Sequence, residues 1–170
     1  MTVEALNALP AAEARAALER CCGASRWIEA LIEARPFDGA AAIFAASDRA
    51  FAPLERADWM EAFSHHPKIG DVSALRTKFA GTAAWAGSEQ GGTATATEAT
   101  LQALADGNRT YEDRFGYIFI VCATGKSAGE MVAMLNARLG NAPEAELSNA
   151  AAEQRRITRL RIEKLLGEGA

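Results

Sequence analysis

The chain holds one stretch that reads as a β-strand, Phe115–Ala123 (FGYIFIVCA), and no second stretch to pair with it. An unpartnered strand would leave its backbone N–H and C=O groups unmatched, so the pattern favours an extended segment buried between helices over a sheet. The remaining sequence is rich in Ala, Leu, Glu and Arg, which lose little side-chain freedom in a helix. The expected fold class is all-α: a single domain over residues 1–170, a bundle of about eight helices with little or no β-sheet.

Punctuation residues divide that bundle. Thr2 is expected to cap a short first helix, and Pro10 to open a second that runs to about Cys22 and stops at Gly23. Ser25 is expected to cap a third helix, whose Trp27, Ile28, Leu31 and Ile32 form one apolar stripe up to Pro36. A fourth is expected over about Asp38–Phe51 with Ile43 and Phe44 inward, and a fifth opened by Pro53 with Leu54, Trp59 and Phe63. Then SHHPKIGD, Ser64–Asp71, breaks the helical period and reads as a loop, the kind of segment where function concentrates. A short helical piece is expected at Val72–Phe79, a Gly-, Ala- and Thr-rich loop at Gly81–Thr95, and a long helix at Thr97–Arg114 weakened by Gly107. Ser127 and Glu130 form a capping-box pattern for a helix to about Leu139, and Pro143 opens the last helix, to about Leu166.

Composition narrows the function classes. A net charge of −4 argues against a nucleic-acid binder, which carries a basic face. The longest apolar runs, such as Ala40–Ala46, fall well short of the ~20 residues of a membrane helix. MTVEALNALP has no basic region ahead of an apolar core, and LLGEGA is not a peroxisomal address, so a cytoplasmic setting is expected. Cys21 and Cys22 are adjacent and the third, Cys122, sits in an apolar run that suggests a buried inert thiol; no pair has zinc-site spacing.

Three groups of residues could carry chemistry. The two histidines, His65 and His66, stand side by side, so their side chains should diverge and only one should face a given site. His66 precedes Pro67, which biases its backbone towards an extended conformation, and imidazole titrates near neutrality, as a general acid or base must. The same pair also fits a surface or capping role. Glu89 and Gln90, next to Gly91 and Gly92, offer a carboxylate and an amide where the backbone can approach a ligand closely; a solvated polar loop fits them equally. The last helix carries Arg155, Arg156, Arg159 and Arg161, of which Arg161 lies between Leu160 and Ile162 and should be drawn partly inward. A phosphate loop at Gly125–Ser127 is rejected, because Ile120 stands where that motif needs a glycine.

Taken in order, HPKIGD, then WAGSEQ at Trp85–Gln90, then FGYIFIVCATGKSAGEMVAMLNARLGN over Phe115–Asn141, then ITRLRIEKLL resemble the OHCU decarboxylases, which act on 2-oxo-4-hydroxy-4-carboxy-5-ureidoimidazoline. CCGASRWIEALIEARPF near the start fits as well, so the resemblance covers nearly the whole chain.

The resemblance implies decarboxylation of that ureidoimidazoline to (S)-allantoin and CO2, the last step of urate degradation to allantoin, with no cofactor and no metal. It implies a catalytic role for His66, Glu89 and Arg161, with Arg159 as second candidate for the arginine. Substrate contacts are implied at Pro67, Ala86, Gln90, Ile120, Val121, Cys122, Ala123, Thr124 and Gly125. Ala86 departs from the family pattern, which often has Ser there, so a hydroxyl contact is lost or supplied by Ser88 or water. A homodimer is implied too, and the preceding hydrolysis step is expected on a separate protein. Two rivals stay open: a non-catalytic all-α binding module, and another cofactor-independent lyase or hydrolase acting on a related ureido compound.

Overall fold

The computed structural model describes residues 1–67, 72, 73, 75 and 93–167, the last range without the side chains of 93–97. Among them stand eight helices: α1 Val3–Ala8, α2 Ala11–Glu19, α3 Ser25–Glu33, α4 Ala40–Phe51, α5 Arg56–Ser64, α6 Thr93–Phe115, α7 Ala128–Leu139 and α8 Pro143–Leu165. No strand occurs among the described residues. Of the β-like stretch, Phe115 ends α6, Gly116, at φ +79°, and Tyr117 form a bend, and the rest is irregular, with Tyr117 and Ile120 buried.

Side-chain capping sets several of the helix starts. Thr2 accepts from the Ala5 N–H at 3.1 Å, and the Ser127 hydroxyl and Glu130 carboxylate exchange the expected pair of bonds at 3.2 and 2.7 Å. Elsewhere the boundaries differ from expectation for physical reasons. Ser25 is the first residue of α3 rather than its cap. The Glu61 carboxylate from α5 takes the Ser25 N–H at 2.9 Å and its hydroxyl at 2.6 Å. Pro53 stands ahead of α5, where Glu55 and Asp58 form the capping box. Gly39, at φ +121°, is the α4 cap, so that helix begins at Ala40. Pro10 precedes α2, which ends at Glu19; Cys21 and Cys22 follow in a turn bonded to the Leu18 carbonyl. Helix α6 reaches back to Thr93, ahead of the expected start at Thr97. Of the expected helix at Val72–Phe79, Val72, Ser73 and Leu75 are helical and the rest lie outside the described residues.

The chain groups into two compact units, residues 1–66, 120–122 and 147–170 in the first and 67–119 and 123–146 in the second. In the first, α3 packs on α2, α4 and α5. Phe51 stacks between Trp27, at 5.7 Å, and Trp59, at 5.5 Å, and Trp59 meets Phe63 at 6.3 Å. Such aromatic pairs add roughly 0.5–1.5 kcal/mol each beyond their buried area, and this row holds the end of α5 in place. Phe44 is only half-buried, contrary to expectation, and its ring carries the Arg159 guanidinium at 4.2 Å.

In the second unit α6 packs on α7 around Leu101, Leu104, Met131 and Leu135. Gly107 explains its own presence in mid-helix. A Cβ there would lie 2.6 Å from a Leu135 methyl, so the glycine lets the two helices approach closely.

Candidate active site

The loop histidines are placed by the C-terminus of α5. Buried Phe63 anchors its last turn, the His66 N–H bonds to the Phe63 carbonyl at 3.1 Å, and Pro67, with no N–H to give, stops the helix. The two rings diverge as expected. His65 Nδ1 meets the Glu61 carbonyl at 3.0 Å, and Nε2 lies 3.5 Å from the Glu19 carboxylate. Its ring covers Gly23, where a Cβ would sit 2.2 Å from the imidazole Cγ, so that position must be glycine. His66 is half-buried and turns the other way, with Nε2 2.6 Å from the Gln154 side-chain oxygen on α8.

Helix α8 presents an unusual polar line to the interior of the first unit. Glu153, Gln154 and Thr158 are all buried, and Ala150, Gln154, Thr158 and Ile162 recur at every fourth position on one stripe. The Gln154 amide N–H donates to the Thr158 hydroxyl at 3.2 Å, and that hydroxyl donates to the Gln154 carbonyl at 2.9 Å. One residue earlier, Glu153 accepts the Cys122 backbone N–H at 2.7 Å and an Arg156 N–H at 2.5 Å. Adjacent residues of one helical turn thus hold both His66 and the Cys122 backbone N–H. Ile120 is buried and Val121 and Cys122 are half-buried, so Cys122 is less enclosed than its apolar surroundings suggest.

The arginines of α8 separate by face. Arg161 follows Gln154 by seven residues, two turns further along the same side, about 10 Å away along the axis. It is half-buried, its guanidinium 3.4 Å from the Cys21 carbonyl. Burial pushes the Cys21 thiol up to about 11, against the opposing pull of Arg161 and Arg20. Arg155 and Arg159 share the opposite side, where Arg155 meets Asp48 at 3.3 Å and Arg159 meets Glu163 at 3.3 Å.

In the second unit Pro67 is exposed, Ala123 half-buried, and Thr124 and Gly125 exposed. Gly125 stands at φ +74° in a turn closed by the Lys126 N–H on the Ala123 carbonyl at 3.0 Å. Ala86, Glu89 and Gln90 lie outside the described residues. Among the described residues no group of His, Cys, Asp and Glu gathers in a form that could hold a metal ion.

Two features escaped sequence reasoning. One is Gln154 and its neighbours, whose signal was the fourfold spacing of Ala150 and Ile162 around two polar residues. The other is a buried cluster in the second unit. Glu146 accepts from Tyr111, from Arg138 at 2.7 Å and 2.6 Å, and from Asn141 at 2.8 Å. Burial raises the Glu146 carboxyl, but those donors outweigh it and hold it below the ordinary value of 4.5. Burial and the same carboxylate push the Tyr111 phenol far up, so it stays a donor.

Among the described residues the fold is all-α, and it places a half-buried histidine against an enclosed side-chain amide. The family model described as OHCU decarboxylase matches residues 7–163, and the chain belongs to that family. It is 39% identical over 153 residues to the uric acid degradation bifunctional protein TTL of Arabidopsis thaliana, covering 88% of this chain and 46% of that one. A 2-oxo-4-hydroxy-4-carboxy-5-ureidoimidazoline decarboxylase of Amia calva is 36% identical over 59 residues, 35% of this chain and 34% of that one. The chain therefore spans under half the length of these relatives. Among solved structures, an OHCU decarboxylase crystallised in the presence of (S)-allantoin has a TM-score of 0.68 at 36% identity, over 88% of this chain and 96% of that one. An (S)-allantoin synthase shares the fold, with a TM-score of 0.70 at 20% identity, over 98% of this chain and 54% of that one.

Proposed function

We propose that this protein decarboxylates 2-oxo-4-hydroxy-4-carboxy-5-ureidoimidazoline to (S)-allantoin and CO2, without a cofactor. The observation that carries the reading is His66, held at Nε2 by Gln154 at 2.6 Å, in a chain that the family model matches over residues 7–163. The substrate supplies its own electron sink, since the carbon that bears the carboxylate and a hydroxyl adjoins a ring C=N bond. The C–C bond to the carboxylate breaks, CO2 leaves, and the bonding pair forms a C=C bond while the C=N pair moves onto its nitrogen, which takes up a proton. The hydroxyl then gives up its proton to become the ring carbonyl, and a proton is added at the carbon bearing the ureido group. His66 handles this proton traffic, and delivery to one face sets the configuration.

Arg161 works best on a ring oxygen where charge grows. An arginine clamped on the departing carboxylate would stabilise the ground state and slow the loss of CO2. Glu89 and Gln90 hold the ureido group in this reading. Pro67, Ala86 and the backbone over residues 120–125 complete the substrate contacts. The proposal extends to a homodimer in the cytoplasm, which light scattering checks for assembly. Among the described residues no helix is long and apolar enough to cross a membrane.

The test uses substrate made freshly from urate by urate oxidase and the hydrolase that follows it. The expected result is fast loss of the intermediate's ultraviolet absorbance and circular dichroism of one allantoin enantiomer, with His66→Ala slowing the rate at least ~10²-fold. Decay at the spontaneous rate with the intact protein would refute the proposal.

A further inference from the structure

We infer that Gln154 is the positioning residue of His66, fixing the ring with its proton on Nε2 so that Nδ1 is the nitrogen that handles the reaction's proton. The second half rests on the acid–base role of His66 proposed above; the first half stands on geometry alone.

The argument runs inward from a group whose direction is forced. A backbone carbonyl can only accept, so the Thr158 hydroxyl, 2.9 Å from the Gln154 carbonyl, donates its proton there. The hydroxyl then has lone pairs to offer, and the side-chain atom of Gln154 facing it at 3.2 Å must be the donating NH2. The other end of the amide, facing His66 at 2.6 Å, is therefore the oxygen. An amide oxygen only accepts, so Nε2 of His66 carries hydrogen in the neutral ring. Turning the amide over would set its oxygen against a hydroxyl whose proton is already committed.

Burial makes the arrangement firm. Gln154 and Thr158 are fully enclosed, so no solvent water competes for their bonds, and a wrong orientation would leave buried polar atoms unmatched. The amide is neutral. It orients the ring and stabilises the Nε2–H in either protonation state, without the strong bias towards imidazolium that a carboxylate would impose.

The test is long-range proton–nitrogen correlation on protein labelled with 15N-histidine, above the pH at which the rings titrate. The chain has 2 histidines, so His65→Gln completes the assignment. The expected spectrum of the unaltered protein shows His66 with a protonated Nε2 and an unprotonated Nδ1. Gln154→Met, of similar bulk, should abolish the single tautomer and lower kcat on the order of tenfold or more with KM little changed. Gln154→Glu keeps an acceptor oxygen, so it should keep the Nε2–H tautomer and move the histidine limb of the pH–rate profile upward. An Nδ1–H ring in the unaltered protein would overturn the inference. So would a Gln154→Met protein with an unchanged tautomer and pH profile. Should Gln154→Met fail to fold, Thr158→Val, which frees the amide to turn, decides the matter by producing a mixture of tautomers; an unchanged single tautomer there overturns it. The spectra need no substrate, so a protein without decarboxylase activity would sink the proposed function and leave the tautomer to be decided separately.

Discussion

In the second unit four N–H and O–H donors converge on one fully buried carboxylate, Glu146. In the first unit the buried polar line of α8 carries a neutral amide, and each bond it makes leads outward: Thr158 to Gln154, Gln154 to His66. Both units thus bury polar atoms with their partners present, yet to different ends. A buried ion pair returns its interaction energy to the fold, whereas an amide that orients a half-buried imidazole spends the same kind of bond on direction. The contrast implies that damage to the Glu146 cluster should appear as lost stability, and damage to the Gln154–His66 bond as lost rate.

The largest expected effect is Glu146→Ala. It strands the buried Arg138 guanidinium, and stability should fall by about 3–5 kcal/mol, read from urea denaturation. A loss below about 1 kcal/mol would mean the cluster is not the structural element it is taken for. A smaller effect is expected at Glu153→Ala, which deprives the Cys122 N–H of its carboxylate. The cost should be about 1–3 kcal/mol, with hydrogen exchange at Cys122 speeding up while amides of the second unit keep their protection. Equal acceleration in both units would erase the contrast. The smallest effect is a pH dependence. Glu146 is depressed in the folded state, so its contribution is complete above its unfolded value near 4.5 and is lost as pH falls through the lower folded value. Thermal melts should therefore decline more steeply below that value in the unaltered protein than in Glu146→Gln.

How much of this was legible depends on whether the deciding partner was local. Ser127 and Glu130 stand three residues apart, and their capping box was readable from the sequence. The cap of α3 comes from Glu61, 36 residues away from Ser25, and no local pattern could report it. His66 stood out because histidine is scarce here and a proline follows it. Gln154 did not, because EQRR reads as a solvated face. The stripe that buries it becomes visible only when Ala150 and Ile162 are counted together with the two polar residues between them. Gly107 looked like a weakness in a helix and is a point of contact, since its value depends on Leu135 across the helix pair. Of the family's polar contacts, Glu89 and Gln90 rest on the sequence resemblance alone.

The adjacency of Glu153 and Gln154 bears on which insertions this chain can tolerate. Surface connections such as the one between α4 and α5 can gain or lose a residue at small entropic cost. One residue inserted in α8 between Leu147 and Glu153 would turn every later position by about 100° relative to what precedes it. Both anchors would leave their partners at once, and His66 and the Cys122 backbone would be released together. Natural variation in length should therefore accumulate in the connections, while α8 keeps its residue count even where its surface composition drifts.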